Sequence, residues 1–191
     1  MGHPDDGQLP GQEPALDPTS GEPTGFGDPA ALARRGLTLA LTAWGLYLLA
    51  HPGAFTLLDS VDLAIHESGH LVFGPFGEFI GFAGGTLMQL LMPVAFVAYF
   101  WRRDEPHSAS VALWWVAQNL GNVATYVADA RAQELPLVGG GEHDWNYLLG
   151  RLGLLSHDVG IARGVRMVAL LLMAFAAVWG LSTAPQRDDA A

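Results

Sequence analysis

His66-Glu67-Ser68-Gly69-His70 places two imidazoles four residues apart with a carboxylate beside the first. On a helix, positions i and i+4 share a face, so both rings can reach one cation. Glu67 is rotated to the side, where it can reach a water instead of the cation. Zinc held by such a pair lowers the pKa of that water toward neutrality. Glu67 then serves as general base and returns the proton to a leaving amine. The motif lies in an apolar stretch, where ionisable residues are costly and tend to mark function. Asp59, Asp62, His66 and His70 fall within an arc of about 80° at 100° per residue. Asp62, one turn before His66, is placed to accept an imidazole N–H and fix that ring. Alternatively, both acids simply begin the helix, favoured by its dipole.

Two imidazoles leave a zinc site one protein ligand short. Two regions can complete it. In the first, Gln118, Asn122, Thr125 and Asp129 line a stripe about 60° wide on one helix, with Asp129 its only acid. In the second, Gly139-Gly140-Gly141-Glu142-His143-Asp144-Trp145 brings a glycine loop to a short amphipathic segment. There Asp144 is placed to N-cap, which leaves His143 as the third imidazole. The expected metal ligands are therefore His66, His70, His143 and Asp129, with Asp144 also open as the third ligand, Glu67 as the catalytic residue and Zn2+ as the cofactor. Glu78 is a weaker ligand candidate. His107 follows a polar turn and is expected to face solvent. His157 ranks below His143, and Asp158 is expected to cap the last helix. Gly77, Gly81 and Gly85 recur every fourth residue, a spacing that lets membrane helices pack closely, and Gly69 leaves room beside the site.

The elements that position these residues are apolar runs at 36–51, 55–73, 79–101, 108–129 and 161–182, with an amphipathic segment at 145–155 between the last two. Pro52-Gly53, Gly74-Pro75 and Arg102-Arg103 punctuate them. Runs near 20 residues match the thickness of a bilayer core. The expected fold is all-α: a polytopic membrane helix bundle of about five apolar helices plus the short amphipathic one. Residues 1–32 are expected to form a disordered acidic Pro/Gly-rich tail, 33–183 the membrane-embedded domain, and 184–191 a second disordered tail.

Composition agrees with this division. Half of the chain is hydrophobic and 15% is charged, below the quarter usual for soluble domains. The net charge of −10 is concentrated upstream of Arg34, where Asp5, Asp6, Glu13, Asp17, Glu22 and Asp28 meet no base. That balance leaves no basic surface for nucleic acid. With no cysteine, thiolate zinc sites and disulfides are excluded. Arg34 and Arg35 favour a cytoplasmic N-terminus, although Arg102 and Arg103 oppose it. The expected location is a bacterial inner membrane, with the lipid bilayer as surroundings.

An HExxH in an apolar helix, followed by a glycine-rich stretch and a later helix with Asn122 and Asp129, resembles the site-2-protease-like intramembrane zinc metallopeptidases. The resemblance covers residues 57–130 and rests mainly on 66–70. It implies two His and a distant Asp as zinc ligands: His66, His70 and Asp129, with Glu67 as base. Transmembrane peptide segments are the substrate it implies. The chain departs from the family at Asn119-Leu120-Gly121-Asn122 and Ala128-Asp129-Ala130, where an Asn-Pro run and Asp-Gly are usual, so His143 stays in play. A different reading is a non-catalytic metal-binding or scaffolding subunit of a membrane complex. A di-iron oxidase is poorly served by so few histidines.

Overall fold

The computed structural model describes residues 28–136 and 142–184. Most of the N-terminal tail, Gly139-Gly140-Gly141 and 185–191 lie outside the described residues. Six α-helices follow in order: α1 Pro29–Ala50, α2 Leu57–Phe73, α3 Glu78–Arg102, α4 Pro106–Ala128, α5 Asp144–Arg151 and α6 Asp158–Thr183. There is no strand among the described residues. The all-α expectation thus matches the structure, with five long helices and one short one.

Helix starts follow local chemistry. α1 begins upstream of the apolar boundary at Gly36, inside the stretch expected as tail, because Asp28-Pro29 is a start signal. The Asp28 carboxylate accepts the Ala30 N–H at 3.0 Å and Pro29 occupies the first turn, where its missing N–H costs nothing. α2 opens with a capping box between Thr56 and Asp59. Gly77, with φ of 104°, turns the chain from a short 3-10 segment at Gly74–Phe76 into α3, a conformation a side chain would resist.

α4 is the central helix. It packs along α6 and also meets α1, α3 and α5. Its buried face alternates small and large residues, including Ala109, Ala112, Ala117 and Ala124 with Trp114. Leu49, Trp114, Ala117, Ala169, Met173 and Ala176 join α1, α4 and α6 in one apolar cluster. Val123, Val127, Ala130, Leu149 and Ala162 form a second cluster near the start of α6. Close approach needs the absence of side chains: a Cβ on Gly121 would lie 2.6 Å from the Leu49 side chain. His107 is buried in this packing, not exposed as expected. Its Nε2 lies 3.1 Å from Thr38 Oγ1 and 3.2 Å from the Arg34 carbonyl oxygen, so it pins α4 to α1.

Among the described residues two helices, not five, are long and apolar enough to cross a membrane: α3, and α6 with the 3-10 turn before it. α2 has only 17 residues and carries Asp59, Asp62 and Glu67. α4 carries Gln118, Asn119, Asn122 and Thr125 along a helix whose other faces are already occupied by neighbours. In the two qualifying helices only 28% and 22% of the most apolar window is buried.

Candidate metal centre

α2 and α3 lie in close contact because glycines meet at their crossing. A Cβ on Gly69 would fall 2.1 Å from the Gly84 carbonyl oxygen, and one on Gly85 would fall 2.4 Å from His66 Nε2. The glycine-rich stretch is therefore used for helix packing, and Gly85 also makes space for an imidazole.

This packing orients both rings. His70 Nδ1 lies 2.9 Å from the Gly81 carbonyl oxygen. A carbonyl can only accept, so Nδ1 carries the proton and, in the neutral ring, Nε2 presents a lone pair. His66 Nδ1 lies 3.2 Å from Gln89 Oε1, which fixes the same tautomer when that oxygen accepts. Both Nε2 atoms then face Asp144 Oδ2, at 3.0 Å from His66 and 3.4 Å from His70. Ligand atoms of the three residues lie within 4.8 Å of one another, and His66 and Asp144 are buried. Three electron-rich atoms converging at a buried point need positive charge among them, either a proton or a metal ion.

The donor set fits zinc. Tetrahedral ligands at about 2.0–2.1 Å from zinc lie about 3.3 Å from one another, close to the spacings here. The outward N–H groups, held by a carbonyl and an amide oxygen, are the supports that metal-binding histidines ordinarily have. Glu67 is exposed and has no hydrogen-bond or ion-pair partner among the described residues.

Of the three candidates for the third member, Asp144 is the one beside the histidine pair, because it and His143 exchange the roles expected of them. His143, not Asp144, is the N-cap of α5: its Nδ1 accepts the Asn146 N–H at 3.3 Å. Asp144 is the first residue of the helix, and its carboxylate reaches the histidine pair. His143 is fully buried elsewhere, stacked on Tyr126 at 4.2 Å between ring centroids. Its Nε2 lies 3.3 Å from Asp129 Oδ2, though not in hydrogen-bonding geometry. Asp129, the distant acid implied by the family resemblance, also stands away from the pair. It ends α4 and holds the following loop, accepting the Glu134 N–H at 2.9 Å and the Leu135 N–H at 3.1 Å. The structure thus brings together His66, His70 and Asp144, and pairs His143 with Asp129.

The remaining candidates have structural partners. Asp62 does not touch His66; its Oδ1 accepts from Trp115 Nε1 at 2.8 Å and Asn119 Nδ2 at 3.3 Å. Asp59 Oδ1 accepts from Asn122 at 2.8 Å and Gln118 at 3.4 Å. The polar stripe of α4 therefore serves as the docking seam for α2. Thr125 continues it by accepting from Arg166 at 3.2 Å. Glu78 is exposed and pairs with Arg151 at 3.2 Å, tying the start of α3 to the end of α5. His157 is exposed beside Ser156. Asp158 accepts its neighbour's amide, Val159 N–H, at 2.7 Å and pairs with Arg131 at 2.8 Å. The Asp158 hydrogen bond and charge hold the Arg131 guanidinium above its ordinary pKa.

Sequence reasoning did not single out Gln89 or Tyr126. Gln89 had a usable signal, as an amide midway along an apolar run. Tyr126 had none beyond lying one turn after Asn122. No family model, curated protein or solved structure matches this chain.

Proposed function

We propose that this chain is a zinc-dependent intramembrane metallopeptidase in which His66, His70 and Asp144 hold the metal and Glu67 is the general base. The observation that carries the reading is the convergence of two imidazole Nε2 atoms on one buried carboxylate oxygen, 3.0 and 3.4 Å away. Zinc bound there supplies positive charge to acidify a water and polarise a peptide carbonyl. Glu67 follows His66 on the same helix and is exposed, so it is free to take the water's proton and pass it to the leaving amine. Gln89 and the Gly81 carbonyl hold the rings in the tautomer that leaves both Nε2 atoms available.

The membrane part of the reading rests on exposure. α3 and α6 are long and apolar, and most of each stays outside the protein's own core. Large apolar side chains such as Leu91, Phe96, Leu171, Phe175 and Val178 are exposed along them. A soluble helix buries its apolar stripe against a neighbour, and lipid is the surrounding that makes these faces favourable. A transmembrane peptide segment is the substrate class that such a location makes accessible. An N-terminus in the cytoplasm of a bacterial cell is the orientation that Arg34 and Arg35 favour.

The test uses the full chain purified in detergent and reconstituted with quenched fluorescent single-span peptides. Cleavage that requires zinc and is abolished by Glu67→Gln supports the reading. Wild-type cleavage by Glu67→Gln contradicts the mechanism. Stoichiometric zinc without hydrolysis across a broad peptide panel favours a non-catalytic metal-binding subunit.

A further inference from the structure

We infer that Tyr126 and His143 are positioning residues that set Asp144 against the histidine pair. The inference rests on the proposed metal site and adds what keeps its third ligand in place. His66 and His70 sit on one helix, but Asp144 is 78 residues from His66 and arrives on a helix of only eight residues. A helix that short is marginal by itself in water, so its first turn must be fixed by tertiary contacts.

Those contacts converge on the end of α4. The Tyr126 hydroxyl accepts the backbone N–H of Asp144 itself, at 3.3 Å. The Tyr126 ring stacks on His143 at 4.2 Å and meets the His66 ring edge-on at 6.0 Å. His143 caps the helix through the Asn146 N–H, and its far nitrogen rests beside Asp129. Asn146 Nδ2 donates to the Ala130 carbonyl oxygen at 2.8 Å, closing the joint. Tyr126 therefore touches one ligand residue through its ring and holds the backbone of another through its hydroxyl. His143 fills the space between Asp129 and Tyr126, with its side chain fully enclosed. The Asp144 carboxylate faces Nε2 atoms at 3.0 and 3.4 Å, so a shift of about 1 Å at this turn removes it from ligand distance.

A double-mutant cycle on zinc affinity tests this, using the full chain in detergent and competition with a chromophoric chelator. Tyr126→Phe removes only the hydroxyl. It is expected to weaken zinc binding about tenfold, the lower end for groups that orient metal ligands. In an Asp144→Ala background the same change is expected to have no further effect, because the ligand it positions is gone. His143→Asn, which keeps a capping side chain but loses the stacked ring, is expected to weaken zinc more than Tyr126→Phe does, with the same loss of effect in the Asp144→Ala background. Zinc affinity within twofold of wild type in both variants overturns the inference. So does a weakening that persists undiminished without Asp144, which would mark a general loss of fold. Failure of the wild-type chain to bind zinc is a separate result, and overturns the metal reading on which the inference stands.

Discussion

In the proposed mechanism catalysis rests on Glu67, which differs in kind from its neighbours. His66, His70 and Asp144 are held by the protein, whereas Glu67 is exposed and free of partners among the described residues. Glu67→Gln is therefore expected to retain one zinc per chain by metal analysis while hydrolysis falls by at least about 100-fold, the usual worth of a general base. The two imidazoles were legible in the sequence because four-residue spacing alone puts them on one face. Asp144 was not. His143 and Asp144 are adjacent, and either side chain can cap a helix or bind a metal. Tertiary contact decides between them: Tyr126 and Asp129 engage His143, which frees the next residue to reach α2. Asp62 misled for a related reason. Its one-turn offset from His66 is real, but Trp115 and Asn119 of α4 offer it donors that no local pattern reveals. Asp62→Ala is expected to cost about 1–3 kcal/mol by leaving those donors unpaired, with zinc stoichiometry unchanged, as chemical denaturation with parallel metal analysis will show.

At the scale of elements, the site depends on how closely α2 and α3 approach. The four-residue glycine spacing signalled packing, but the backbones meet at Gly69 and Gly84, outside that series, while Gly77 has nothing within 4 Å of its added carbon. What the spacing does not convey is that Gly85 faces an imidazole while Gly81 lends its carbonyl to the other ring. Gly85→Ala places a methyl group 2.4 Å from His66 Nε2, so the ring must move. The expected result is zinc affinity lower by more than tenfold at similar helix content, read by chelator competition and circular dichroism. Gly164→Ala is the matched control, since nothing lies within 4 Å of its added carbon. Helix limits were legible wherever Gly and Pro punctuate the chain. The start of α1 lay in a stretch whose acidic, Pro-rich composition masked the Asp28-Pro29 cap.

For the whole molecule, apolar length was legible and its use was not. Among the described residues five long helices form, yet α2 and α4 carry polar residues that bind each other, and only α3 and α6 are long and apolar enough to cross a membrane. A sequence shows a polar stripe but not whether it faces a neighbouring helix or a water-filled cavity. The exposed faces of α3 and α6 predict that the chain sediments with membranes, resists extraction by alkaline carbonate and is released by detergent. The metal site lies among α2, α3 and α5, and zinc content with X-ray absorption of the purified full chain beside its Asp144→Ala variant tests it most directly. One zinc per wild-type chain is expected in a nitrogen and oxygen shell with two imidazoles, and weaker binding with one fewer protein oxygen in the variant. No zinc in the wild type, or an identical affinity and ligand shell in Asp144→Ala, would contradict it.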